Sequence, residues 1–191
     1  MNIIQTMKKE YTSGASWNSA SIAGLVMAAV TIAAELVGTL CNKVPGFGGG
    51  ILNFLAWAGK IAVCALTFRA LMKRFHDSYE DVDYPRLQRY GLKLALFSSL
   101  LVAAYSLVNI LLIEPDSIKQ ALDAFREGYA SMLDSNSEAV LDKMMPKMPL
   151  YVGIVTVIYC YLWGWLFSTL FAKSLAPYDP FANIEGPKEN Q

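Results

Sequence analysis

The chain has 191 residues, 54% of them hydrophobic, with 16 basic and 16 acidic side chains and a formal net charge of zero. That composition is too apolar for a soluble domain that must cover its surface with charge, and it supplies no global field for nucleic acid or acidic substrates. Three cysteines and a single histidine exclude a disulfide framework and leave no CxxC or His-Cys spacing for zinc, so membrane is the class that remains.

Lys8 and Lys9 precede an apolar region that is too long for a signal peptide, contains Glu35 and ends in Leu40-Cys41 rather than a small residue before cysteine. It is expected to stay. Residues 1–15 read as a cytoplasmic N-terminus and residues 17–40 as the first span, with Trp17 at the interface. Ala20, Gly24 and Ala28 recur every four residues and let another helix backbone approach closely. Residues 42–50, with Pro45, Gly46, Gly48, Gly49 and Gly50, read as a tight reversal that makes the first two spans antiparallel neighbours.

The second span, 51–72, holds Lys60 near its middle and Arg69 close enough to its end to snorkel. Residues 75–89 read as a short hydrophilic connection in which Asp77, Glu80, Asp81 and Asp83 face arginines. A calcium loop is disfavoured there, since the turn glycine is missing and Gln88 stands where the closing glutamate belongs.

Within the third span, 92–113, the twenty residues 94–113 carry no ionisable group except Tyr105 and cross about 30 Å at about 1.5 Å per residue. Ser98, Tyr105 and Asn109 form a polar stripe that should look inward, because an amide facing lipid has no partner. Glu114-Pro115-Asp116-Ser117 is a helix-start signature. Ile118, Leu122, Phe125, Tyr129 and Met132 or Leu133 then recur at three- and four-residue steps, predicting an amphipathic helix of about sixteen residues. A break at 134–137 and a second short helix over 138–145, ended by Pro146 and Pro149, complete an outer insertion over 114–149.

The fourth span, 150–171, is rich in aromatics and repeats the small-residue spacing at Gly164, Ser168 and Ala172. Residues 176–191 read as an extended cytoplasmic tail. The expected fold is all-α: an integral membrane four-helix bundle over 16–175 with a short amphipathic helical insertion between the third and fourth transmembrane helices.

Lysine and arginine beside the spans set orientation. Lys8, Lys9, Lys73, Arg74, Arg86, Arg89, Lys93, Lys173 and Lys188 fall on one side, against Lys43, Lys119, Arg126, Lys143 and Lys147 on the other. Both termini are therefore expected in the cytoplasm.

Glu35 and Lys60 are the costly placements, because a charge at the centre of a span costs about 2.5–3.5 kcal/mol and normally faces a partner inside the protein. They lie roughly 9 and 15 Å below the outer end of the first hairpin, so an ion pair is expected, with Asn109 as a possible polar partner. A packing role is preferred to a proton relay, which uses several carboxylates or histidines. Met144, Met145 and Met148 offer thioethers to copper(I), but no histidine or cysteine joins them in the local sequence. No nucleophile elbow, phosphate loop or pair of intramembrane aspartates is present, so no catalytic residue, metal or cofactor is expected.

Four spans, the run Arg69-Ala-Leu-Met-Lys-Arg-Phe closing the second, the sequence Ile113-Glu-Pro-Asp-Ser-Ile after the third, and a Met- and acid-rich outer insertion together resemble an uncharacterised bacterial four-helix inner-membrane family, a domain of unknown function. The resemblance covers about residues 15–175 and implies a membrane protein without an assigned catalytic residue. The function expected from the residues is a non-enzymatic structural or accessory subunit that contacts the lipid bilayer and packs with itself as a homo-oligomer or with a membrane-protein partner. The competing expectation is a small transporter or ion-responsive protein that uses the Glu35–Lys60 pair.

Overall fold

Each apolar stretch folds into a helix that outruns its hydrophobic centre. The computed structural model describes residues 11–42, 47–80, 82–129 and 134–176. Helices α1 (Ser13–Asn42), α2 (Phe47–Ser78) and α3 (Tyr84–Val108) are followed by the short α4 (Ser117–Gly128) and α5 (Ser135–Met144), and then by α6 (Met148–Leu175). The fold is all-α, and among the described residues four helical runs are long and apolar enough to cross a membrane: Ser13–Cys41, Gly50–Ser78, Tyr84–Ile113 and Asn136–Leu175.

Two expected connections are shorter than the hydropathy pattern implies. The hydrophilic stretch 75–89 is mostly helix, because α2 continues to Ser78 and α3 starts at Tyr84. Asp83 caps α3 by accepting a hydrogen bond from the Arg86 backbone N–H at 3.2 Å, with Pro85 in the first turn where its missing N–H costs nothing. Phe75 and Tyr90 stack at 3.7 Å with their rings 8° from parallel, which gives both helices a buried aromatic reason to extend past their apolar centres. At the first reversal, Gly48, Gly49 and Gly50 belong to the first turn of α2, while residues 43–46 lie outside the described residues.

The end of α3 widens into a π-helical turn at Asn109–Ile113, where the Glu114 N–H donates to the Asn109 carbonyl at 2.8 Å. Beyond it, α4 stops at Gly128, shorter than the sixteen-residue pattern; Met132 and Leu133 lie outside the described residues. The expected break at 134–137 is instead the start of α5, because the Asp134 carboxylate accepts the Ser137 backbone N–H at 2.7 Å. A 3-10 turn, Met145–Lys147, leads directly into α6, with Pro146 and Pro149 at positions that need no donor.

The hydrogen bond from Ser137 holds the Asp134 carboxyl below its ordinary range. A depressed native value means the cap contributes above the unfolded pKa and is lost as pH falls through the native one. Amide exchange in the first turn of α5, taken relative to the intrinsic rate at each pH, should therefore be slow at neutral pH and become fast selectively below about pH 4. Asp134→Ala should show the fast exchange at every pH; a variant whose exchange profile still matched wild type would remove the cap from the account.

Packing centres on α3, whose most extensive interfaces are with α6 and α1; α1 packs along α2, and α2 meets α6 only sparsely. Small residues make the close approaches. A Cβ on Gly24 would lie 2.5 Å from the Cβ of Phe97 and 3.3 Å from the Leu94 carbonyl, and a Cβ on Gly164 would collide with Ala95. Ser168 Oγ donates to the Gln88 carbonyl at 2.8 Å, pinning α6 to the start of α3.

Burial is uneven along the bundle. The core, with Phe68, Met72, Phe75, Leu87, Tyr90 and Leu94, gathers at the end where α1 and α3 start and α2 and α6 finish. Among the described side chains, α1 has none buried after Ala28 and α2 has none buried before Cys64. One end is sealed and the other is open. The sealed end also bears Lys93, whose Nζ donates to Ser16 Oγ at 3.1 Å and sits 4.7 Å over the Trp17 ring, a geometry that shelters the ammonium beside the bilayer.

Candidate functional site

The open half of the bundle is where the two mid-span charges, Glu35 and Lys60, lie. Lys60 Nζ on α2 donates to Glu35 Oε2 on α1, forming a salt bridge between the two helices. The side chains are 33% and 52% exposed, so the pair is not sealed into a packed interface. Thr31, one turn before Glu35, donates to the Met27 carbonyl at 2.9 Å and approaches Cys64 Sγ at 3.7 Å, one turn after Lys60. A four-residue step on each helix thus builds a polar seam between α1 and α2.

That seam forms one wall of an open cavity of about 340 Å³ lined by α1, α2, α3 and α6. Ser98 and Val102 of α3 and the stripe Thr156, Tyr159, Cys160, Trp163 and Phe167 of α6 supply the other walls. A second cavity, about 490 Å³, lies toward the open end and is lined by Thr39, Tyr105, Ser106, Asn109 and Glu114. Glu35, Val102 and Thr156 belong to the walls of both. The glutamate therefore stands at the junction of an inner and an outer chamber.

The structure places the remaining predicted residues as follows. Asn109, in the π-helical turn, shares the outer chamber with Glu35, and among the described residues no hydrogen bond joins them. A π turn carries one extra residue per turn and commonly marks functional positions, and here it forms part of the chamber wall. Ala20, Gly24 and Ala28 are buried on α1, and Gly24 faces Phe97, Ser98 and Leu94 of α3; Gly164, Ser168 and Ala172 are buried on α6, with Gly164 and Ser168 against α3. These small residues are spent inside the bundle.

The outer amphipathic face is only partly covered. Leu122 is buried and Ile118 half-buried, whereas Phe125 and Tyr129 are exposed and pack on each other at 4.7 Å. Arg126 on the same helix bonds Asp142 of α5, tying the two outer helices together.

Sequence reasoning missed Thr31, Trp57, Thr156, Tyr159, Cys160 and Trp163, all on cavity walls. A signal was available. Thr156, Tyr159, Cys160, Trp163 and Phe167 follow three- and four-residue steps that put them on one helix face, and Thr31 shares a face with Glu35. Comparison with known proteins finds no matching family, no similar curated protein and no similar solved structure.

Proposed function

We propose that this multi-pass membrane protein handles an ion or a small molecule at the Glu35–Lys60 pair, the transporter or ion-responsive reading of its sequence. The observation that carries it is the junction: Glu35 borders both the inner and the outer chamber, so its carboxylate is reachable along the bundle axis.

The clustering of Lys73, Arg74, Arg86, Arg89, Lys93 and Lys173 beside the sealed end supports a cytoplasmic position for that end, with the chambers opening to the outside of a bacterial inner membrane. Kinship with the four-helix inner-membrane family rests on the order of spans and motifs alone.

The test is chemical access to Cys160, which lines the inner chamber. In sealed proteoliposomes, a small cationic thiol reagent added from the outer side should label Cys160, and Val102→Trp at the shared wall should slow labelling at least tenfold. Labelling that begins only after detergent is added would overturn the axial route.

A second reading, an accessory subunit, draws support from α2, where only 6% of the apolar window is buried. Co-purification of a stoichiometric membrane protein that shields Phe54 and Leu55 from a lipid-soluble photolabel would favour it.

A further inference from the structure

The inner chamber has a second opening. α2 and α6 touch only sparsely, and Trp57, Val155 and Tyr159, which line the chamber from those two helices, remain 56%, 63% and 57% exposed. Residues that face a cavity and its exterior at once mark its rim. Both helices lie within candidate membrane spans, so this rim faces lipid.

The chemistry of the walls restricts what enters. Their only formal charges are Glu35 and Lys60, already paired with each other, so a charged ligand that took one partner would strand the other at membrane depth. Stranding that charge is unfavourable, which selects against ions arriving from the lipid side. Polar capacity remains for a neutral head: among the described residues the Ser98 and Tyr159 hydroxyls have no hydrogen-bond partner. Thr31 and Thr156 donate to their own helices, so each keeps an oxygen able to accept. Trp57, Phe68, Tyr159, Trp163 and Phe167 supply flat apolar walls. The volume, about 340 Å³, is about twice that of the engineered apolar cavity of about 150 Å³ that holds benzene, and so suits a body of about two fused rings.

From these walls we infer that the inner chamber is a binding site for an uncharged, ring-bearing, membrane-soluble molecule with one hydrogen-bonding head, admitted from the bilayer between α2 and α6. The head lies among Ser98, Thr31, Thr156 and the ion pair, and the rings lie against the aromatic wall. The inference rests on the reading of Glu35–Lys60 as a ligand-handling centre and adds the ligand class and its route.

The test uses 1-naphthol, a neutral bicyclic molecule with one hydroxyl, and its anionic relative 1-naphthoate. The full chain carrying Cys64→Ala is placed in lipid nanodiscs, and alkylation of Cys160 by N-ethylmaleimide is followed by peptide mass spectrometry. Cys41, which lines neither chamber, is the internal reference. Naphthol should slow Cys160 at least fivefold in a saturable way, leave Cys41 unchanged, and lose its effect in Thr31→Phe. Val155→Phe at the rim should slow access without filling the chamber, which keeps the test sound where Thr31→Phe fails to fold.

Equal protection by naphthoate, equal slowing of Cys41, or no protection by naphthol would each overturn the inference. So would a Cys160 that maleimide cannot reach, since an entry closed to maleimide is closed to naphthol. Cys160 open to the cationic reagent from the outer side but indifferent to naphthol would sink this inference while leaving the axial reading in place.

Discussion

Gly164→Ala is expected to destabilise the bundle by about 1–3 kcal/mol, the usual cost of forcing a methyl into a well-packed interface. The new methyl would meet the Ala95 side chain, and the Ala95 Cα would lie 3.3 Å away, so backbone and not a flexible side-chain tip must move. Gly59→Ala is the matched control. Nothing lies within 4 Å of a Cβ placed there, and alanine gains about 0.8–1 kcal/mol of helix propensity over glycine. Unfolding in bicelles should therefore separate two chemically identical changes by sign. Ala95→Gly combined with Gly164→Ala moves the methyl from one helix to the other and should recover most of the loss. If Gly164→Ala and Gly59→Ala unfold together, the close contact of α3 and α6 is not what holds the bundle.

The second large effect concerns the ion pair. Removing either Glu35 or Lys60 alone should lower stability by about 1–2 kcal/mol, below the 3–5 kcal/mol of a sealed pair because both side chains reach the chambers. Losses of that size lower the amount of protein in a membrane several-fold. Glu35→Gln with Lys60→Met leaves no stranded charge and should return the protein to near its wild-type level. Quantitative blotting of the four strains reads the energetic half of this prediction. The functional half is that the restored double variant no longer protects or gates Cys160 as wild type does; a double variant with wild-type level and wild-type Cys160 behaviour would leave the pair a packing device.

What could be read from the residues alone follows the size of each free-energy term. Four apolar runs long enough for the bilayer stand out because hydrocarbon tolerates few charges, and Glu35 and Lys60 stand out for the same reason. The helix ends were obscured where that term fades. Phe75, Leu87 and Tyr90 alternate with arginines and acids, so mean hydropathy falls there although these residues form the sealed core. The chambers were harder still, because no local pattern shows that α2 leans away from α6. Thr156, Tyr159, Cys160 and Trp163 share a face whether that face meets a helix, lipid or a cavity. Four-residue spacing at Gly24 and Gly164 points to close packing but does not say whether the partner belongs to the same chain; the structure gives both to α3.

The uneven burial along the bundle has a mechanical side. α1 beyond Ala28 and α2 before Cys64 project from the sealed base as one hairpin, joined at its tip by the short connection from Asn42 to Phe47 and braced along its length by the contact between Lys60 and Glu35. For a rigid arm of about 20 Å, or about thirteen helical residues, a tilt of about 5° at the base displaces the tip by about 2 Å. Little core is disrupted by such a tilt, since the arms bury none of their described side chains. The compliance of the molecule is thus concentrated in the half of the bundle away from the sealed core.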